Sequence, residues 1–270
     1  MTDILAIANQ KGGVGKTTTA VTLAHGLAME GVRTLLIDLD PQGHVAECLG
    51  DKKSPGLFKL LVQELPLSEV AIEARKNLFI VPGDKSTEKV KRYLASDMRG
   101  AEASTRLFID VLNDTPFQVA IFDCAPSYDI LHIAALIASN MLLIPTKLDH
   151  LAADGVNEIL RSVAELRSRD ESNVDLVAVL PTFFERVTKE TAEQFKLLVN
   201  DFKHLVWPPI PDDVRAREAV AYGQTLWEYA TWSPCIVGYK SSKGDENIGG
   251  YDSTLTRVMS ALGMERKKHG

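Results

Sequence analysis

The sequence predicts an α/β fold: a doubly wound, mostly parallel sheet with helices on both faces. Three observations carry that expectation. Apolar, β-branched runs alternate with segments of helical period along most of the chain. The runs are apolar almost throughout, as in strands covered on both sides. Polar and glycine-rich motifs follow the ends of several runs, where open parallel sheets gather their ligands.

The elements follow in order. Ile4–Ala8 reads as a buried strand, and Thr17–Met29 as a helix with Ala20, Leu23, Ala24 and Leu27 on one face. Arg33–Asp38 is the second strand; Leu78–Val81, Gln118–Asp123, Met141–Pro145 and Val174–Leu180 continue the series. Helical stretches lie between them at Lys85–Leu94, Ala103–Leu112, Ile130–Ala138, Val156–Ser168 and Lys189–Phe202. Strand, helix and strand at this spacing call for right-handed crossovers. The Gly- and Ser-rich stretch Tyr239–Tyr251 reads as a flexible surface loop, with a short helix from about Ser253 to Leu262 behind it. No repeat or linker divides the chain, so a single domain over residues 1–270 is expected.

Composition narrows the class. Hydrophobic residues make up 45% of the chain and charged residues 24%, enough for a core that needs no staple. The three cysteines, Cys48, Cys124 and Cys235, are far apart and form no CxxC pair, which points to a reducing compartment. No run approaches the roughly 18 apolar residues of a membrane span, and the N-terminus enters a strand at once. A cytoplasmic protein is expected. The net charge of −6 argues against a polyanion-binding surface over the whole molecule, while a local basic patch stays open.

The chemistry starts after the first strand, at Asn9-Gln10-Lys11-Gly12-Gly13-Val14-Gly15-Lys16-Thr17-Thr18. Glycines let successive backbone N–H groups converge on phosphate oxygens, and a helix N-terminus adds its positive end. This is a P-loop, a cradle for nucleotide phosphates. Lys16 is placed to reach the β- and γ-phosphates, Thr17 to sit on Mg²⁺, and Thr18 to donate to the α-phosphate. Gly12, Gly13, Val14 and Gly15 supply the cradle.

Two acidic strand ends complete the pattern. Leu35-Leu36-Ile37-Asp38-Leu39-Asp40-Pro41 places carboxylates at i and i+2 on one side of a strand that Pro41 stops. Val119-Ala120-Ile121-Phe122-Asp123 is four apolar residues closed by an acid, the form in which a buried strand delivers a carboxylate to the Mg²⁺ shell. The loop after Asp123 is expected to sense the γ-phosphate and act as a switch.

The ordinary P-loop has a glycine six residues before its lysine. Here that position is Gln10, and an extra lysine, Lys11, follows it. This departure resembles the deviant Walker A motif of the ParA/MinD class of ATPases. Pro145-Thr146-Lys147-Leu148-Asp149 with Leu151-Ala152-Ala153-Asp154-Gly155, and Leu180-Pro181-Thr182-Phe183-Phe184-Glu185-Arg186, are similar to ParA segments. So is Ile210-Pro211-Asp212-Asp213-Val214-Arg215 with Glu218-Ala219, Gly223 and Glu228-Tyr229. The likeness runs from Asp3 to about Ser233.

The resemblance implies a homodimer closed over ATP, in which Lys11 acts on the partner's phosphates and Asp40 orients the attacking water. Asp38 either supports the metal shell beside Thr17 and Asp123 or hydrogen-bonds a neighbouring loop. Thr182 and Pro211 resemble residues that flank the adenine. The resemblance further implies non-specific DNA binding at Arg186 and Arg215, through phosphate contacts. Arg217, Lys189, Lys196 and Lys203 either extend that patch or form a solvated face among Glu190, Glu193 and Asp201. The three lysines are seven apart, on one face of a single helix. Asp212-Asp213, where the family often has Arg-Asn, lowers the local positive charge.

A ParB-like partner whose basic segment stimulates slow hydrolysis, and nucleoid association in the ATP state, belong to the same implication. The short stretch before the P-loop leaves the small, stand-alone type. A MinD-like membrane switch is the alternative; Leu255, Val258, Met259 and Leu262 followed by Arg266, Lys267 and Lys268 carry it, but lack the bulky aromatic face such anchors use. Stable membrane association is therefore not expected. An iron–sulfur reductase would need two well-placed cysteines, and only Cys124 sits beside a motif.

Overall fold

The computed structural model describes residues 2–96, 105, 108–113, 115–172, 174–185, 189–240 and 247–266. Among the described residues, seven strands form one sheet: β1 (Asp3–Ile7), β2 (Thr34–Asp38), β3 (Ile72–Arg75), β4 (Leu78–Val81), β5 (Val119–Asp123), β6 (Met141–Lys147) and β7 (Leu176–Thr182). Their order is β3-β4-β2-β5-β1-β6-β7. All neighbours run parallel except the edge pair β3 and β4. The sheet is doubly wound, as the sequence predicts.

Each face has its own core. Ala6, Leu35, Ile37, Ala120, Phe122 and Leu142 point to one side, against helices that include Thr87–Ser96, Ile130–Ala138 and Ala152–Ser168. Leu5, Ile7, Leu36, Val119, Ile121 and Leu143 point to the other, against Lys16–Met29 and Gly250–Ala261. Alternation within a strand therefore sorts apolar residues between two cores instead of between core and solvent.

The differences from the expected elements have local causes. β3 (Ile72–Arg75) is half polar and largely exposed, so it carries no apolar run, and the helices His44–Cys48, Gly56–Leu61 and Leu67–Val70 are too short for a helical period to show. The bounds of β4 are those expected, the other strands differ by a residue or two, and β6 runs on to Lys147 because it pairs with β7 along its whole length. Of the helix expected over Ala103–Leu112, Thr105 and residues 108–112 are helical among the described residues.

Two expectations are corrected. Tyr239–Tyr251 is not simply a loop: Tyr239–Lys240 pairs antiparallel with Asn247–Ile248, and the helix Gly250–Ala261 starts three residues before the expected Ser253. Gly249 (φ 78°) and Gly250 (φ 79°) make the turn, and Gly250 N–H donates to the Pro209 carbonyl at 3.0 Å. Lys203 does not share a helix face with Lys189 and Lys196, because the helix Lys189–Phe202 ends before it and Lys203 takes φ 49° in a 3-10 turn. The apolar face of the C-terminal helix is used internally: Tyr251, Leu255, Val258 and Met259 are buried, and Leu255 packs onto Gly26 of the first helix. Arg266 behind it is held by Glu30 (2.9 Å) and Asp252 (2.7 Å). Lys267 and Lys268 lie outside the described residues. Among the described residues no helix is long and apolar enough to cross a membrane.

Candidate nucleotide site

The strand order assembles the site. β5 lies between β2 and β1, so Asp123 stands in register with Asp38 on one side and Ile7 on the other. The P-loop leaves β1 at that level. Gly13 (φ 69°) and Gly15 (φ 86°) adopt the left-handed conformation that turns the amides inward. The helix Lys16–Met29 begins with no side chain capping its N-terminus, which leaves its first N–H groups for an anion.

Lys16 is 7% exposed, and its Nζ donates to the Lys11 carbonyl at 2.7 Å, over the mouth of the loop. Burial lowers its pKa, an effect that Asp123, Cys124 and Asp40 partly offset. Thr17 Oγ1 donates to Asp123 Oδ2 at 2.7 Å. Asp123 Oδ1 is buried with no hydrogen-bond partner. Burial pushes the Asp123 carboxyl up to about 7, against the pull of Thr17 and Lys16. A hydroxyl and an orphaned carboxylate oxygen at the foot of a phosphate cradle fit Mg²⁺, which would relieve that penalty and neutralise charge on the phosphates.

Asp38 is more deeply committed than a spare metal group would be. Its Oδ1 accepts the Asp40 N–H at 2.9 Å and its Oδ2 the Val45 N–H at 3.2 Å. Burial first, then Asp123, raises its pKa well above the carboxylate range. β2 ends at Asp38, so Asp38 and Asp40 do not share a strand face as expected: Asp38 folds the following loop, and Asp40 sits on that loop, half-buried. Asp40 Oδ1 accepts the Gln42 N–H at 2.8 Å, leaving Oδ2 to act outward.

Lys11 lies against the helix Ala152–Ser168. A Cβ at Gly155 would stand 3.1 Å from Lys11 Cε and 3.0 Å from Asn9 Oδ1. Lys11 Nζ is buried without a hydrogen-bond partner. Asn9, fully buried, holds the start of the loop: its Nδ2 donates to the Pro145 carbonyl and its Oδ1 accepts the Lys11 N–H, both at 2.9 Å.

Beside the cradle is a mainly apolar cavity of about 260 Å³, bounded by Gly15, Thr18, Thr182, Phe183, Pro211 and Arg217. Its position and lining suit a nucleoside. Thr182 and Pro211, expected beside the adenine, are both there, and Thr182 Oγ1 donates to the Val14 carbonyl at 3.0 Å. Arg217, expected among the DNA contacts, lines this cavity instead of standing apart from it. Sequence reasoning missed Phe183, held at φ 53°, and Tyr251, whose hydroxyl shares a 3.0 Å hydrogen bond with Thr19 across 232 residues. No local pattern marks either one.

Among the described residues, the remaining DNA candidates are not all free cations. Arg215 pairs with Asp213 at 3.1 Å and lies 4.9 Å from the centre of the Trp232 ring. Lys189 and Lys196 are exposed on the helix Lys189–Phe202. Arg186 lies outside the described residues.

Comparison with known proteins agrees with this geometry. Residues 2–176 match a family model described as an AAA domain. The chain is 32% identical over 237 residues to the chromosome-partitioning ATPase Soj of Thermus thermophilus, covering 87% of this chain and 92% of that protein. It is 31% identical to the cell division protein PomZ of Myxococcus xanthus, over 96% of this chain and 80% of PomZ. The fold superposes on an ATP complex of a McdA variant from Cyanothece with a TM-score of 0.80, at 24% identity and 98% coverage of both chains. The cofactors are ATP and Mg²⁺, and the chain is an ATPase. It belongs to the ParA-type partition ATPases of the ParA/MinD family.

Proposed function

We propose that this ATPase is a dimerising switch: ATP closes two subunits face to face, the dimer holds non-specific DNA, and hydrolysis releases it. The observation that supports this best is Lys11. A buried ammonium with no partner is costly. In this reading Lys11 leaves Gly155 on dimerisation and its charge meets the phosphates of the opposing subunit. Lys16 neutralises the phosphates of its own subunit, and Asp40 orients the water that attacks the γ-phosphorus as ADP departs. Mg²⁺ would be held by Thr17 and Asp123, with Asp38 supporting the loop beside them.

Lys189, Lys196 and Arg215, with Arg186, are the candidate DNA contacts, placing the ATP form on the nucleoid of a cytoplasmic protein. The Asp213 pair on Arg215 makes modest DNA affinity the expectation. The cargo is DNA or a protein body, and a ParB-like partner with a basic segment accelerates hydrolysis. Internal packing of the C-terminal helix argues against the membrane alternative.

The test is light scattering of the Asp40→Ala variant with and without ATP, followed by binding to random-sequence DNA over graded salt. The expected result is a monomer without nucleotide, and with ATP a stable dimer that alone retains DNA and releases it as salt rises. A monomer in every nucleotide state would overturn the proposal.

A further inference from the structure

Two loops flank the γ-phosphate end of the site, one carrying Asp40 and one following Asp123. They are joined through a helix that neither motif includes.

The first joint is backbone on backbone. Pro82-Gly83 follows β4, and Gly83 is pressed onto the Asp40 loop: a Cβ there would stand 2.8 Å from the Asp40 carbonyl oxygen and 2.9 Å from that of Asp38. Gly43 (φ 63°) meets the same turn from the other side, with its own Cβ position 2.3 Å from the Gly83 oxygen. From Gly83 the chain enters a tight turn. Asp84 Oδ1 accepts the Ser86 N–H at 2.8 Å, and the buried Thr87 donates its N–H to the Asp84 carbonyl at 2.9 Å. The helix Thr87–Ser96 starts there and seats Val90 and Leu94 in the core.

The second joint is an ion pair at the far side of that helix. Lys91, with a side chain only 13% exposed, places Nζ 2.9 Å from Asp129 Oδ2. The same oxygen accepts Ser127 Oγ at 2.6 Å, and Oδ1 accepts the N–H groups of Leu131 and His132 at 3.0 and 3.2 Å. Asp129 thus caps the helix Ile130–Ala138 and closes the loop that leaves Asp123. Burial raises its pKa, but Ser127 and Lys91 outweigh that and hold it below the ordinary carboxylate range. It stays ionised, and the pair is charge-assisted.

We infer that the helix Thr87–Ser96 is a strut that makes the two loops move together, with Lys91 as the positioning residue at its joint. Lys91 sets where the loop after Asp123 rests, and through Gly83 that setting reaches Asp40. Closure of one loop over ATP would then bring the water-orienting carboxylate of the other into line. This inference rests on the reading of Asp40 given above.

Steady-state phosphate release from the full chain, with ATP titrated, tests it. Lys91→Met should lower kcat about tenfold while KM for ATP stays within twofold, and Lys91→Arg should recover most of the loss. Asp129→Asn, which keeps the helix cap, should show the same defect, and the double variant should be no slower than either single one. Thermal melts confirm that each variant is folded. Wild-type kcat in Lys91→Met, losses that multiply in the double variant, or a rise in KM matching the fall in kcat would overturn the inference. Asp40→Ala is run beside them. If it is inactive while Lys91→Met is normal, the strut alone fails; if it turns over normally, the water assignment falls and the strut with it.

Discussion

The phosphate corner and the Arg215 face are both rich in charge, yet they are built differently. In the corner the charged groups are buried or half-buried, and most are held by specific hydrogen bonds: Lys16 by its own loop, Asp123 by Thr17, Asp38 by two amides. Among the DNA candidates, Lys189 and Lys196 are exposed and Arg215 is paired inside the chain. Positioning by backbone is specific and local, whereas a surface patch is a sum of weak terms that depends on where helices happen to face. The first kind of site responds to single atoms and to pH. The second responds to total charge and salt.

The largest effect expected from that contrast is at Lys16. Lys16→Ala should weaken ATP binding about 100-fold or more, on the order of 3 kcal/mol for a charge-assisted contact in a buried site. Calorimetric titration showing retained affinity would remove Lys16 from the cradle.

The next effect lies behind the corner, at His132. Its ring is buried, and neither nitrogen makes a hydrogen bond of proper geometry, although the Ala125 backbone lies close by. Burial pushes its pKa down to about 4, with Asp129 pulling the other way. A folded pKa below the ordinary 6.5 means a neutral ring in the fold, so its contribution is intact above about pH 6.5 and lost as pH falls toward 4. Between pH 7.5 and pH 5 the wild type should lose about 2 kcal/mol more stability than His132→Leu, read from urea midpoints. Equal losses would mean that the ring is not held neutral.

The smallest effect belongs to the exposed face. Arg215→Glu should reduce DNA affinity about tenfold and lower the salt slope by about one, with ATP-dependent dimerisation unchanged. If Arg215→Glu is silent while Lys189→Glu and Lys196→Glu are not, the patch lies on the helix Lys189–Phe202 and the Asp213 pair keeps Arg215 out of it.

How far the sequence could be read follows the same division. The P-loop, Asp123 and the alternation of strands and helices were legible because each is set within about ten residues, by a glycine spacing, a strand terminus or a period. Asp38 was legible as a carboxylate but not in its role, since that depends on which amides the loop to Val45 turns back toward it. Tyr251 was hidden in a stretch that reads as loop, and its use depends on a contact with Thr19. Lys203 shows the limit of periodicity: seven-residue spacing holds only while the helix lasts, and this one stops at Phe202.

By itself the sequence determined the phosphate cradle, with Lys11 as its added charge, because a loop between a buried strand and a helix has little freedom once its glycines are placed. Only the tertiary structure decided where that charge rests and what surrounds it. Gly155 gives Lys11 a bed because the helix after β6 crosses the P-loop, and Lys91 meets Asp129 because β4 and β5 send their helices to the same face of the sheet. Such contacts between distant segments follow from strand order, which no local pattern of residues encodes.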